Sequence, residues 1–118
     1  MSIHVKRAYD APAKRDGCRI LVDRMWPRGI SKKELQIDEW IKDLAPTTEL
    51  RQWFGHDPEK WAEFKRRYFR ELAEHPGEMA KLLNKARAEQ ITLVFSAKDQ
   101  KCNNAVALKQ YLERHVDN

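Results

Sequence analysis

The chain has few of the residues that build disulfide frameworks or flexible, disordered segments. Its 118 residues include two cysteines, four glycines and five prolines. Cys18 and Cys102 lie far apart and form no C-x-x-C pair, which predicts two free thiols and excludes a disulfide framework and a cysteine zinc site. Hydrophobic residues make up 42% of the sequence, too many for a disordered protein. These features predict one domain spanning residues 1–118.

Long apolar runs and the common cofactor motifs are also missing. No apolar run approaches the roughly 18 residues that a membrane span needs, and residues 1–7 lack the apolar segment of a secretory signal. We therefore expect a cytoplasmic protein with no membrane partner. The four histidines have neither H-E-x-x-H spacing nor cysteine partners, and no glycine-rich phosphate loop occurs. The sequence thus predicts no metal and no cofactor.

Positive charge is concentrated near the start of the chain. Residues 1–33 hold nine basic and three acidic residues, a net charge of +6, whereas residues 34–118 hold 14 basic and 15 acidic residues. Such a segment attracts anions of any kind, including phosphates, nucleic acid or an acidic partner. For Lys14, Arg15, Lys32 and Lys33, a solvated surface is the simpler interpretation.

Short apolar runs predict the strands. Residues 18–22 and 91–97 are continuous, apolar and partly β-branched, which is typical of buried strands in a parallel sheet. Residues 3–9 begin with an alternation of apolar and polar side chains and predict an edge or flanking strand. Residues 38–44 are compatible with a strand or a short helix, and we favour the strand.

Capping residues and apolar stripes predict helices at five places. They are a helix of one or two turns after Ser31, a brief helix from Thr47 or Thr48 to Gly55, one from Pro58 to about His75, one beyond Pro76-Gly77, and one from near Asn103 to near His115. This order implies parallel strands joined by crossovers. We therefore predict an α/β fold, a small three-layer sandwich in which a mostly parallel sheet of about four strands is covered by helices.

Polar side chains follow the two best-defined strands at the point where each strand ends. Asp23 and Arg24 follow the first, and Lys98 and Asp99 follow the second. In open parallel sheets, ligands bind outside the carboxyl ends of the strands. If the two strands are neighbours, these four side chains face one crevice, with the free amides of the last helix behind them.

A small phosphate- or carboxylate-bearing ligand suits this crevice. Asp23 and Arg24 can orient each other and hold an anion, or they can form a structural salt bridge. Lys98 is a candidate general base or Schiff-base lysine if burial lowers its pKa, and an ordinary ion pair with an aspartate is the alternative. Lys98 and Asp23 are thus the catalytic candidates. The ligand-binding candidates are Arg24, Trp26, Arg28, Arg51, His56, Asp99, Asn103 and Asn104.

Two further groups resemble catalytic residues. His56 and Asp57 could act as an acid/base pair, but Asp57 is also the obvious cap of the next helix. Cys102, near a helix start, could be activated. A C-x5-R phosphate loop would need arginine at position 108, where the chain has Leu108, so the pattern excludes a phosphatase or rhodanese thiol.

Nucleic-acid binding is the alternative function, and an interaction module without a small ligand is a third. The basic segment would contact phosphates, and Trp26 and Trp53 could stack on a base or sugar. Packing in the core or at its rim is the simpler interpretation of both tryptophans. The oligomeric state cannot be derived from the sequence.

Five strings along nearly the whole chain resemble a known family. They are L-V-D-R-M-W-P-R-G-I-S-K, W-I-K-D-L-A-P, L-R-Q-W-F-G-H-D-P, W-A-E-F-K-R-R-Y, and T-L-V-F-S-A-K-D followed by N-N-A. In this order they resemble the YeaO-like proteins, small bacterial proteins within the domain of unknown function 488 family. The resemblance implies a small α/β fold and no known reaction.

The chain departs from longer relatives in that wider family at the candidate site. Those relatives carry patterns like D-V-R after the first strand, and C-x-E and then C-H-R after the later strand. This chain has D-R at residues 23–24, S-A-K at 96–98 and C-N-N at 102–104. Lys98 replaces the acid, and asparagines replace the histidine and arginine. The resemblance therefore carries no thiol- or histidine-based reaction to this chain, and whether it is an enzyme stays open.

Overall fold

Four parallel strands form a single sheet in the computed structural model, which describes residues 2–115. The strands are β1 (Ile3–Arg7), β2 (Cys18–Leu21), β3 (Glu39–Trp40) and β4 (Ile91–Phe95). Their order across the sheet is β1-β4-β2-β3, so β4 and β2 are central. The predicted α/β fold with a parallel sheet of about four strands is confirmed.

Five α-helices connect and follow the strands in the described part of the chain. They are α1 (Lys32–Leu35), α2 (Thr48–Phe54), α3 (Trp61–Ala73), α4 (Pro76–Ala88) and α5 (Asn104–His115). None of the helices within residues 2–115 has the length and apolar character needed to cross a membrane.

One face of the sheet carries the main core. Side chains alternate between faces along a strand, and Cys18, Ile20 and Val22 share this face with Ile91 and other odd-numbered residues of β4. The apolar stripes of α2, α3, α4 and α5 pack on it. All five residues of β4 are buried, as expected for a central strand covered on both sides.

The opposite face has a thinner cover. A small cluster of Ala8, Leu21, Leu35 and Val94 lies there, packed against aromatic and aliphatic side chains of residues 26–40. The segment that follows β2 thus forms the third layer, and α1 is its only helix among the described residues.

A buried ion cluster fills the rest of this second face. Asp16 is 6% exposed and pairs with Arg19 at 2.7 Å and with Lys6 at 3.1 Å. Arg19 also donates to the carbonyl of Leu35, which ties α1 to the sheet. Burial alone would raise the pKa of Asp16, but hydrogen bonds from the amide of Ala13 and from both cations lower it.

Several predicted boundaries differ from the observed ones. Residues 38–44, for which a strand or a short helix was expected, contain both. The short strand β3 comes first, and a 3-10 turn at Lys42–Leu44 follows it. The helix expected from Pro58 begins with a 3-10 turn, and α3 starts at Trp61. Pro76 opens α4 instead of preceding it, because proline at the first helical position loses no hydrogen bond.

Candidate functional site

The two strands that end in polar residues are neighbours in the sheet. β2 and β4 pair in parallel from Cys18↔Ile91 to Leu21↔Val94. The Val22 amide continues the pairing by donating to the Val94 carbonyl at 3.1 Å. The expected meeting of the two strand ends at one edge of the sheet is therefore confirmed.

A cleft of about 810 Å³ opens at this edge. Its base is formed by the strand ends and the start of α5. One wall is the loop after β2, which belongs to the thin layer, and the other is formed by α2 and by His56, two residues beyond its end. The cleft is lined by all ten residues predicted for the site, namely Asp23, Arg24, Trp26, Arg28, Arg51, His56, Lys98, Asp99, Asn103 and Asn104.

Asp23 connects the ends of three elements. Its Oδ2 accepts hydrogen bonds from the Ser96 amide at 2.9 Å and from the Ser96 hydroxyl at 2.6 Å. Its Oδ1 accepts from Asn104 Nδ2 at 3.0 Å, and the Asn104 amide also donates to the Val22 carbonyl. Because Ser96 turns its amide to this carboxylate, β4 ends at Phe95 and does not reach residue 97. The Asp23 carboxylate thus fixes the base of the cleft.

Arg24 is held by the backbone and not by Asp23. Its Nε donates to the Pro46 carbonyl and its Nη2 to the Ala45 carbonyl, both at 3.2 Å. Among the described residues, no ion pair joins it to Asp23. Two carbonyls therefore fix the guanidinium in the cleft, while its Nη1 has no protein partner within residues 2–115.

Lys98 lies at the cleft in a different setting from the one expected. It is exposed, so the burial on which its general-base chemistry depended is absent. It also forms no ion pair with Asp23 or Asp99 in the described part of the chain. An exposed lysine without an ion-pair partner suits electrostatic attraction of a ligand better than proton transfer.

Arg28 and Arg51 bring positive charge to opposite walls of the cleft. Both side chains are exposed. The Arg28 carbonyl accepts a hydrogen bond from the Tyr9 hydroxyl at 3.0 Å, which anchors the loop wall to the end of β1. Arg51 Nη1 lies 3.8 Å from the sulfur of Met25, a weak contact across the mouth of the cleft.

Asp99 and Asn103 shape the start of α5. Asp99 Oδ1 accepts from the amides of Lys101 and Cys102 at 2.8 and 2.9 Å, and these bonds lower the pKa of its carboxyl. Asn103 is the cap of α5, since its Oδ1 accepts from the Val106 amide at 2.9 Å. Burial, together with the negative charge of Asp99, raises the pKa of the Cys102 thiol, which opposes its activation.

The His56-Asp57 step has the geometry of a cap. Asp57 Oδ1 accepts from the Glu59 amide at 3.0 Å, so the aspartate begins the next turn as the capping interpretation predicts. His56 is exposed and lines the cleft with a backbone φ of 59°, a left-handed conformation that costs energy for a residue with a Cβ. The imidazole is therefore held at the cleft by a strained backbone.

The two tryptophans proposed as stacking groups differ in position. Trp26 lines the cleft, but its Nε1 donates to the Ile30 carbonyl at 2.7 Å and its ring packs edge-on against Trp40. Trp53 does not line the cleft. Its ring packs beside the cationic groups of Lys60 and Arg67, at 5.1 and 4.1 Å. Both rings therefore pack against protein groups, which agrees with the simpler interpretation that they are packing residues.

The charges of the cleft are unbalanced. Four side chains with permanent positive charge line it, on two walls and the base, against two carboxylates. Both carboxylates accept several hydrogen bonds from nearby protein groups. Within residues 2–115, no group of three or more His, Cys, Asp or Glu side chains could hold a metal ion. The arrangement can hold an anion of more than one charge.

Nine further residues of the described chain that line the cleft are not among the ten predicted for the site, and Ser96, Tyr9 and Met25 are three of them. Ser96 could have been found, because it is the first hydroxyl after an apolar strand. Tyr9 and Met25 carry no local signal, since their exposure at the cleft depends on how the loops fold.

Comparison with known proteins identifies the family. Residues 2–118 match a family model described as DUF488-N3i, the inactive DUF488-N3 subclade. The chain belongs to this family. Curated relatives of this DUF488-N3i chain include the uncharacterized protein YeaO of Escherichia coli, which is 45% identical over 95% of this chain and 97% of its own length. The uncharacterized protein Rv3073c of Mycobacterium tuberculosis is 37% identical over 93% of this chain and 92% of its own length. No solved structure matches the chain.

Proposed function

We propose that this DUF488-N3i chain binds a small phosphate- or carboxylate-bearing molecule in the cleft at the strand ends. The observation that carries the proposal is the set of four cations around one cavity of about 810 Å³. Arg24 supplies a guanidinium already fixed by two carbonyls, and Lys98 an ammonium without a protein partner in the described chain. A fixed arginine fork binds carboxylate or phosphate with little loss of conformational entropy. The cytoplasmic location stays a prediction from the sequence.

Binding without turnover fits the site better than catalysis. The family description contains the word inactive. Hydrogen bonds occupy both oxygens of Asp23, and the raised pKa of Cys102 disfavours a thiolate. His56 has no carboxylate partner in Asp57, which caps a helix turn. Asp23 and Lys98 therefore contribute in this proposal as a structural anchor and a ligand contact.

The nucleic-acid alternative has weaker support. Of the nine basic residues within residues 1–33, four are engaged with protein groups, namely Lys6, Arg7, Arg19 and Arg24. The tryptophan rings are packed against protein groups as well. Fluorescence anisotropy with labelled DNA and RNA at low salt tests this function, since phosphate contacts give a steep dependence on salt. Absence of binding at low salt would eliminate it.

Thermal stabilisation by anions tests the main proposal. A ligand that binds only the folded state raises the melting temperature. We expect pyrophosphate, ribose 5-phosphate or citrate to raise it for the wild-type protein. Arg24→Ala and Lys98→Ala should remove most of this shift. The matched controls are Arg15→Ala and Lys101→Ala, which remove exposed charges outside the lining of the cleft and should keep the shift.

Two outcomes would contradict the proposal. One is the absence of any shift across a broad set of phosphates and carboxylates, which would favour an interaction module. The other is an equal shift in the cleft variants and in their controls, which would show that anions bind elsewhere on the basic surface.

A further inference from the structure

Two large hydrophobic side chains are left exposed among residues 2–115, and both line the cleft. Tyr9 is 47% exposed and Met25 is 61% exposed. The other large apolar residues of the described chain are buried or partly buried. Exposed apolar groups that gather at a cavity indicate a surface used for binding. The cationic cleft therefore has an apolar part at its mouth.

Tyr9 is held in place without a ligand. Its hydroxyl donates to the Arg28 carbonyl at 3.0 Å, and the Arg7 guanidinium lies over its ring, 5.1 Å from the centroid. Arg7 is itself fixed, because its Nε donates to the Ala97 carbonyl at 2.9 Å. The aromatic ring is thus oriented before binding and remains half exposed.

Met25 contributes a flexible apolar group next to a cation. Its sulfur contacts Arg51 of α2 at 3.8 Å, although the residue belongs to the opposite wall. Methionine adapts its shape to a ligand, and its sulfur packs well against aromatic rings. Tyr9 lies beside Arg28 on the loop wall, and Met25 of the same wall contacts Arg51 of the other wall, so each apolar side chain has a positive charge next to it.

We propose that the ligand carries a flat aromatic ring in addition to its phosphate, as a nucleoside monophosphate does. Tyr9 and Met25 would then determine specificity, the ring of the ligand packing on them while the phosphate binds the cations. A cleft of about 810 Å³ is larger than a lone phosphate requires and falls within the range for ligands of drug size. This inference rests on the proposed anion-binding function.

Isothermal titration calorimetry with matched phosphates tests the inference. Adenosine monophosphate, uridine monophosphate and ribose 5-phosphate share the phosphate and the sugar, and only the first two carry a base. We expect the nucleoside monophosphates to bind the wild-type chain at least about ten-fold more tightly than ribose 5-phosphate, because base stacking on an aromatic side chain gives an advantage of this order.

Variants at the mouth of the cleft separate the two proposals. Tyr9→Ala and Met25→Ala alter exposed side chains, so the fold should persist. They should reduce the ratio of the affinity for the nucleoside monophosphates to the affinity for ribose 5-phosphate, and this ratio is insensitive to a change in phosphate binding that all three ligands share. Tyr9→Phe is the control, because it keeps the ring and should keep the preference.

Each remaining result overturns one or both proposals. Equal affinities for ribose 5-phosphate and adenosine monophosphate in the wild-type chain would contradict the inference and leave the anion site intact. A preference that persists in both alanine variants would also contradict the role of Tyr9 and Met25. If no phosphate or carboxylate ligand binds, the proposed function fails together with the inference.

Discussion

Asp23 is the residue on which the base of the cleft depends. Its carboxylate accepts three hydrogen bonds, two from Ser96 and one from Asn104, and these join the end of β2 to the end of β4 and the start of α5. We expect Asp23→Ala to lower the free energy of unfolding by about 2–4 kcal/mol, because hydrogen bonds to a charged acceptor are lost and their donors lose a partner.

Urea unfolding followed by circular dichroism measures this loss. Asp10→Ala is the control, because Asp10 is exposed and its side chain has no hydrogen bond within residues 2–115. A loss for Asp23→Ala that is no larger than the loss for Asp10→Ala would contradict the anchoring role.

Cys102 should be a slow nucleophile in the folded protein. Burial and the charge of Asp99 raise its pKa above the ordinary value of 9.0, so little thiolate is present at neutral pH. We expect its alkylation by iodoacetamide at pH 7 to be slower than in the urea-unfolded chain. Asp99→Asn should accelerate it. Labelling of the folded chain as fast as the unfolded chain would show that the thiol is activated.

The sequence predicts the positions of the site residues better than it predicts their hydrogen-bond partners. Asp23 and Lys98 could be placed at one edge because they follow apolar runs that had to lie in a parallel sheet. The partner of Asp23 could not be derived, because Ser96 and Asn104 are 73 and 81 residues away. The exposure of Lys98 depends on the course of a loop, which no local pattern specifies.

At the scale of elements, two helices are followed by residues in the left-handed conformation. His56, after α2, has φ 59°, and Gln36, after α1, has φ 51°. Glycine adopts this conformation without steric cost. We expect His56→Gly and Gln36→Gly each to raise the free energy of unfolding by about 0.5–1 kcal/mol.

The same two variants should differ in ligand binding. His56 lines the cleft and Gln36 does not, so only His56→Gly should weaken anion binding, by roughly two- to ten-fold if its imidazole forms one hydrogen bond to the ligand. Chemical unfolding and a binding titration on the same samples check both effects. Equal anion affinity in the two variants would remove His56 from the site.

Local capping chemistry explains why most helices could be predicted. Ser31 and Glu34 form the expected capping box, and Thr47 accepts from the Leu50 amide. Contacts between residues far apart in the sequence determine the features that capping does not predict. The strand β3 is only two residues long, the thin layer contains a single short helix among the described residues, and the ion cluster around Asp16 lies on the same face of the sheet. Apolar spacing alone cannot show such a polar contact.

The stability of the whole molecule should depend on the ionisation of Asp16. Its pKa is below the ordinary value of 3.8 in the folded chain, so the ionised form stabilises the fold at all pH values above 3.8. That contribution is lost as the pH falls below 3.8 through the folded-state pKa. We expect Asp16→Asn to be less stable than the wild type by about 3–5 kcal/mol at pH 7, because it breaks a buried ion pair.

The difference between the two proteins should shrink as the pH falls below 3.8. Urea unfolding at a series of pH values from 7 downward measures it. A difference that stays constant down to the lowest pH at which both proteins fold would show that the charge of Asp16 contributes nothing.

The most direct test of the anion site is an amide chemical-shift titration of the isotope-labelled chain with pyrophosphate. The fold places the end of β2, the end of α2 and the start of α5 around one cleft. We predict saturable shifts concentrated in residues 23–28, 51–56 and 96–104. Shifts confined to the basic surface at Lys14, Arg15, Lys32 and Lys33, or no saturable shift at all, would contradict the account.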